Sequence, residues 1–329
     1  MRKKILITGI SGFIGSNVAR HLLQKKGLEI TGLVRPGTNS IRLKDFDDQI
    51  QLREIDLENI RDLRNFLDQN VFDQIIHIGA LRGGRKFPKQ AYFDANVNAT
   101  EQIALSAKAN DSELIFCSSV GVFGAIPLEL PANNFTRRQE DNYYHFTKIR
   151  AEAIIQKLVL YGLKAVIIRP AISYGVEDYG FPYTLTRLVD KKLMFLPDRD
   201  VMIHLTNVEH LANVFLKLSD FDFKPGSAFN IADVQPVKLP DLVNFISEEL
   251  HGKPYPKSRT IDYRIFEKAE NLARFMKNEL WISRFELISK SWFYDVQPAR
   301  EEFGLKAFKT IPGFHVVTDW YKNLSVRDQ

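Results

Sequence analysis

Three glycines close to the start of the chain limit its fold more than any other feature. Gly9, Gly12 and Gly15 follow a short apolar run, Ile5, Leu6 and Ile7. They lead into helical apolar spacing through Phe13, Ile14, Val18, Leu22 and Leu23. A buried strand must therefore turn within a few residues into a helix. The first glycine permits the tight turn, the second lets a pyrophosphate approach the backbone, and the third lets the helix lie close on the strand. Free N–H groups and the positive end of the helix dipole then face the phosphates. A glycine triplet alone also occurs in plain strand-to-helix turns. Its place at the start of an α/β pattern predicts a dinucleotide site made of Thr8, Gly9, Ser11, Gly12, Phe13, Ile14 and Gly15.

Strands alternate with helices through the first half, which predicts an α/β chain with a doubly wound parallel sheet of Rossmann type. Residues 29–34 read as the second strand, and the residues just after it meet the adenosine ribose. An acid there would accept the 2′-hydroxyl of NAD and repel a 2′-phosphate. This chain has Arg35, with Thr38, Asn39, Ser40 and Arg42 nearby and no acid before Asp45. Arginine offers planar, charge-assisted donors to phosphate, so NADP is expected ahead of NAD. Read in isolation, Arg35 is an ordinary solvated loop cation. Asp56 and Leu57 end the third strand, where adenine is expected, and Gly79 and Ala80 end the fourth, where backbone can lie close to the cofactor. His77, inside that apolar strand, reads as a packed core histidine. The basic loop 81–86 suits a substrate anion or plain solvent. A long helix is expected over residues 90–109, carrying Asn96.

A second cluster follows the strand 114–117. Ser118 and Ser119 sit at its carboxyl end, where open α/β sheets place their sites. Tyr144 and Lys148 then lie one turn apart on one face of a helix expected to run to about Tyr161. A free tyrosine, with pKa near about 10, is a poor acid or base at neutrality. A neighbouring ammonium and an oxidised nicotinamide both favour phenolate and bring it toward the working range. A serine hydroxyl opposite can hold the reacting oxygen.

Thr8 through Gly15, Ser119, and the Tyr144–Lys148 pair together resemble the extended short-chain dehydrogenase/reductase family, which includes NAD(P)-dependent epimerases and dehydratases. Residues 76–80, 169–175, 203–208, 294–304 and 319–321 match it too, so the resemblance covers nearly the whole chain. It implies an NAD(P)-binding domain over 1–175 with returning segments near 201–233. It also implies a smaller α/β substrate domain over 176–200 and 234–329. Tyr144 is then the general acid/base, Lys148 tunes it and holds the ribose, and Ser119 orients the substrate oxygen. The resemblance adds Asn96, Pro170, Ala171 and Ile172 to the cofactor contacts. It also implies a homodimer through the helices near 90–109 and 142–161.

Composition excludes several classes. A net charge of +5 spread along 329 residues gives no nucleic-acid or membrane footprint. No run approaches the roughly 20 apolar residues needed to span a bilayer, and none resembles a signal peptide. The single Cys117 excludes an internal disulfide framework and fits a reducing cytoplasm. No metal site is expected. Helices are expected over 182–192, 208–218 and 239–250, with a short strand over 228–231. The aromatic stretch 252–291 reads as core or interdomain packing ahead of a substrate pocket.

Departures from the family pattern bear on the substrate. Members that dehydrate sugar nucleotides carry an Asp-Glu pair straight after the serine or threonine; here Val120 and Gly121 cannot move protons. Ile172 stands where many sugar-nucleotide enzymes have asparagine, and Asp200, beside Arg199, where many have arginine. The form of residues 169–175 also resembles the branch containing hydroxysteroid dehydrogenases and dihydroflavonol reductases. Three functions remain open: an NADP-linked reductase or dehydrogenase of a carbonyl/alcohol pair, a nucleotide-sugar 4-epimerase, and a non-catalytic dinucleotide sensor. The last has no use for Ser119, Tyr144 and Lys148.

Overall fold

The opening apolar run forms β1 (Lys3–Thr8), fully buried from Ile5 onward. The chain then adds β2 (Leu28–Val34), β3 (Gln51–Glu54), β4 (Gln74–His77), β5 (Glu113–Cys117) and β6 (Lys164–Pro170). With the strand Ala228–Ile231 they make a seven-stranded sheet ordered 228–231, β6, β5, β4, β1, β2, β3. All pairings from β1 to β6 are parallel. Parallel neighbours require crossovers, and helices supply them. Chain order runs outward in one direction from β1 and in the other from β4, so the sheet reverses between them. Thr8 and His77, opposite each other in register, end those two strands. Ligands bind such sheets at this switch point, outside the carboxyl ends.

The computed structural model describes residues 2–83 and 87–327, and the chain divides into two units. The sheet belongs to the first, Met1–Val122, Arg138–Pro170 and Leu211–Asn230, its last strand ending one residue beyond it. Its helices include α1 (Phe13–Leu23), α2 (Ile60–Gln69), α3 (Lys89–Phe93), α4 (Ala99–Ala109) and α5 (Tyr143–Val159). One core layer joins Leu6, Phe66, Ile103, Phe116, Ile155 and Ile167. Burying each such side chain is worth roughly 1.5–3 kcal/mol.

The single helix expected over 90–109 is not continuous. Residues Asp94–Asn98 form a π turn between α3 and α4. The extra residue shifts the side-chain register of α3 against α4. The Thr100 hydroxyl donates to the Asn96 carbonyl (2.7 Å), and the Asn96 side-chain oxygen accepts the Leu81 N–H beyond the end of β4. Apolar spacing carries no mark of such a turn.

The second unit, Phe123–Arg137, Ala171–His210 and Ile231–Gln329, is held by short strand pairs. Ile172–Tyr174 pairs parallel with Leu205–Asn207, and Met202–Ile203 pairs antiparallel with Val237–Lys238. At its centre the fully buried Asp233 accepts from the Tyr174 hydroxyl (2.8 Å), the Thr310 hydroxyl (2.6 Å) and the Asn207 N–H (2.9 Å). Burial pushes that carboxyl up to about 6 even with three donors opposing the shift. Residues 263–275 and 279–289 are helical. Their aromatic stretch is only partly core: Phe266 is buried, whereas Phe275 is 86% and Trp281 47% exposed.

Candidate active site

The glycine turn has the geometry that the spacing requires. Gly9 adopts φ +68°, and a Cβ on it would stand 2.6 Å from the Gly79 backbone. A Cβ on Gly15 would run into the Gly9 carbonyl, which is why α1 can lie directly on the turn. Gly12 is different. A Cβ there would meet only the Gly9 carbonyl, at 3.1 Å, and otherwise open space. It is the N-cap of α1 with no side-chain cap, and the Ser16 N–H bonds back to its carbonyl (2.9 Å). Backbone donors in the first turn are thus left for a ligand, beside a surface that lacks a side chain. Thr8, Ser11, Phe13 and Ile14 complete this segment, and the cradle fits a pyrophosphate.

Gly79 and Ala80 continue β4 beside the turn. A Cβ on Gly79 would lie 2.6 Å from the Leu57 side chain, so Leu57 packs at the same strand end. Asp56 turns inward on its own segment and accepts the Glu58 N–H at 3.0 Å. Arg35 follows β2, exposed, and its carbonyl accepts the Thr38 N–H (3.0 Å). Burial, then Asp56, push the Glu58 carboxyl up, and the Arg35 charge opposes them. Arg35 thereby stands near the Glu58 carboxyl, beyond the carboxyl end of β2. Of the basic loop, Leu81, Arg82 and Gly83 are described; Gly84, Arg85 and Lys86 lie outside the described residues.

His77 is buried and fully bonded, as a core histidine should be. Its Nδ1 lies 2.6 Å from the Thr8 hydroxyl and its Nε2 2.9 Å from the Thr100 hydroxyl. Thr100 gives its own proton to the Asn96 carbonyl, so it accepts from Nε2–H. Nδ1 then accepts from Thr8, whose oxygen in turn accepts the Gly79 N–H at 3.0 Å. This assignment follows from the partners. Burial, reinforced by the Lys148 charge, pulls His77 down to about 3. Asn96 ends the chain of bonds: it accepts the Leu81 N–H (2.7 Å) and donates to the Leu81 carbonyl (2.9 Å) and the Thr147 hydroxyl (3.0 Å). The structure places Asn96 as a clamp between the β4 loop and α5, with its amide committed to protein partners.

At the end of β5 the second cluster assembles. Asn142 caps α5 by accepting the His145 N–H (2.9 Å). The helix then presents Tyr144, Lys148 and Glu152 at successive turns. The Tyr144 hydroxyl has the Ser119 hydroxyl as its neighbour. Burial pushes the Tyr144 hydroxyl well above its usual range, while Ser119 and the Arg82 charge pull the other way. Lys148 is 3% exposed, and its ammonium donates to the Cys117 carbonyl (2.9 Å) and lies 4.9 Å above the Phe116 ring. Burial lowers its pKa, opposed by Cys117 and Glu152. Within the protein alone, therefore, Tyr144 is held protonated and the lysine is anchored to the strand.

The sequence reading does not single out Glu152, although it continues the four-residue spacing. It accepts from Ser118 (2.6 Å) and binds Arg169 through both oxygens, each at 2.7 Å. The pair is nearly fully buried, so loss of either partner would strand a charge. It fixes the ends of β5 and β6 against α5. Pro170 ends β6. Ala171 and Ile172 belong to the second unit, where Ala171 donates to the Ile231 carbonyl (2.9 Å) and Ile172 pairs with Leu205. In that same unit Arg199 donates to the Ser289 carbonyl and lies 4.5 Å over the Tyr263 ring. Asp200 pairs with Lys238 at 2.6 Å. Among the described residues no cluster of metal ligands occurs, and no helix is long and apolar enough to cross a membrane.

The model of the NAD dependent epimerase/dehydratase family matches residues 5–232. A 2-alkyl-3-oxoalkanoate reductase of Shewanella oneidensis is 24% identical over 332 residues, covering 93% of this chain and 82% of that protein. A UDP-glucose 4-epimerase of Vibrio cholerae is 25% identical over 253 residues, 74% of each protein. The enzyme WbmH of Bordetella bronchiseptica, solved with NAD+, shares the fold with a TM-score of 0.77 at 18% identity, over 98% of this chain and 99% of that one.

Proposed function

This chain belongs to the NAD dependent epimerase/dehydratase family, and from that premise we propose that it is an NADP-linked reductase or dehydrogenase of a carbonyl/secondary alcohol pair. The observation that carries the reading is the Ser119–Tyr144 hydroxyl pair at the end of β5, with buried Lys148 one turn further along α5. When bound, the nicotinamide supplies or accepts the hydride. The remaining steps belong to the chain. Ser119 and Tyr144 hold the substrate oxygen between two hydroxyls, and Tyr144, kept protonated by burial, gives its proton to that oxygen as the carbonyl becomes an alcohol. Lys148 is anchored where its charge can steady the resulting phenolate. The glycine cradle with the first turn of α1 holds the pyrophosphate, and Arg35 takes the 2′-phosphate. Substrate recognition is assigned to the second unit, and the setting to a reducing cytoplasm.

A nucleotide-sugar 4-epimerase is the second reading, favoured by the names of several relatives. Three features weigh against it here. Arg199 is committed to Ser289 and Tyr263, Asp200 is a carboxylate paired with Lys238, and Ile172 has no polar group to offer. The reductase reading is tested with Tyr144→Phe under NADPH and a ketone panel. Turnover should fall by about 10²–10⁴, with dinucleotide affinity nearly unchanged. Near-normal turnover in the variant would sink the assignment.

A further inference from the structure

Gly121 stands next to the reacting hydroxyls and has no side chain to use on a substrate. The structure fills its place from another element. A Cβ on Gly121 would run into the Nε2 and Cδ2 atoms of His145 and come within 3.2 Å of the Ser119 hydroxyl oxygen. The Gly121 N–H itself donates to that oxygen at 3.0 Å. The His145 imidazole lies beside Tyr144, ring centroids 5.7 Å apart. The Nε2 edge of His145 and the Ser119 hydroxyl thus flank Gly121, with the Tyr144 ring next to the imidazole.

The other edge of that imidazole is fixed. Nδ1 lies 2.5 Å from Asp141 Oδ1, one helical turn back. The Asn142 amide nitrogen is 2.8 Å from Nδ1 and 3.4 Å from the same carboxylate oxygen. With Asp141 ionised, Nδ1 carries the proton and donates it to the carboxylate, and Asn142 donates to the carboxylate as well. That tautomer leaves a lone pair on Nε2, which has no hydrogen-bond partner among the described residues. The His145 side chain is 13% exposed and that of Asp141 33%. A base oriented by a carboxylate, held beside two oxygen-binding hydroxyls, has the parts needed for proton transfer at carbon.

We propose that His145, oriented by Asp141, is a second acid/base group of this site, and that it moves a proton on the carbon next to the substrate carbonyl. The substrate class follows: ketones carrying a hydrogen on the α carbon, including stereocentres there. The inference rests on Ser119 and Tyr144 holding a carbonyl oxygen. Nε2 takes the α proton, and the C–H electron pair becomes the C=C bond of an enol. The carbonyl π pair moves to oxygen, which receives the Tyr144 proton. Reversal returns the ketone with a solvent-derived proton at the α carbon, so no oxidant or reductant is consumed. In the helix-cap reading of the same residues, only the His145 N–H matters and Nε2 is idle.

The probe panel is 2-methylcyclohexanone, cyclohexanone and 4-phenyl-2-butanone in D2O with the full-length protein and NADP+, so no hydride is on offer. Deuterium at the α carbon is read by NMR. Wild type should catalyse exchange with at least one member, and His145→Ala should slow it at least about 100-fold, the range of general-base loss. Added imidazoles should restore exchange to His145→Ala in proportion to free-base concentration, faster for the more basic members. Gly121→Ala guards against misfolding of that variant: its methyl displaces the imidazole and should cut exchange at least about tenfold. No exchange by wild type over the panel, or His145→Ala within threefold of wild type, or no response to imidazole, would overturn the proposal. A separate arm follows NADPH oxidation with 2,2,2-trifluoroacetophenone, which has no α hydrogen. Failure there with exchange intact counts against the reductase reading and for the His145 assignment.

Discussion

Acid should destabilise this protein through His77, and the size of the effect follows from its surroundings. The ring is 1% exposed and its two nitrogens are committed to Thr8 and Thr100. Protonating Nδ1 would break the bond from Thr8 and place a charge beside Lys148. The folded-state pKa is accordingly about 3, against the ordinary 6.5 of an unfolded chain. Because the folded value is depressed, the unfolded chain binds more protons below pH 6.5. Stability is fully present above that value and drains away as pH falls toward 3. Between pH 7.5 and 5.0 the loss from this one group is about 2 kcal/mol. His204, at about 4 through burial, loses a similar amount over the same interval, and Asp233, raised to about 6, works in the opposite sense. The readout is therefore a double difference. Urea unfolding of wild type and His77→Gln at the two pH values should show the variant about 2 kcal/mol less sensitive to acid, whatever its stability at pH 7.5. Equal pH sensitivity in the two proteins would refute the neutral, doubly bonded His77.

Arg35→Asp should weaken NADPH and relatively favour NADH, because it sets a further carboxylate beside Asp56 and Glu58; unchanged titrations with both would leave Arg35 an ordinary loop cation. Lys148→Ala should lower turnover and dinucleotide affinity together, unlike Tyr144→Phe, and isothermal titration alongside kinetics separates the two patterns. A homodimer is expected by light scattering through α4 and α5 with their adjoining turns, and a monomer at micromolar concentration would contradict it.

The features legible in the chain before folding, and those that are not, divide along physical lines. The glycine turn is legible because its demands are on the backbone: Gly9 needs positive φ, and Gly15 leaves no room for a Cβ. The inner strands are legible as apolar runs because both sheet faces are covered there, whereas the edge strand β3 is mostly polar and exposed. Tyr144 and Lys148 stand out by helical spacing, as Glu152 could have. The π turn at Asp94–Asn98 is not legible, because the five residues of α3 before it are too few for apolar spacing to show a one-residue shift of register. The clamp that Asn96 makes on Leu81 and Thr147 is not legible either, because it is set by contacts 15 and 51 residues away in sequence. Gly121 reads as a place where no proton can move. Only the fold brings the His145 ring over it, because the meeting depends on the angle at which α5 approaches the end of β5. The aromatics of residues 252–291 read as packing, yet Phe275 and Trp281 face outward; composition does not say which side of a helix is covered.

The fate of the hydride tests the central claim most directly. The purified protein is denatured and its released dinucleotide quantified, and a second sample is given NADPH deuterated at nicotinamide C4 with ketones and UDP-sugars in parallel. The expected result is far less than one dinucleotide per chain, with one deuterium in the product alcohol for each NADPH oxidised. One tightly held NAD per chain, together with interconversion of a UDP-hexose pair and no change in nicotinamide absorbance, would contradict it and make the protein an epimerase.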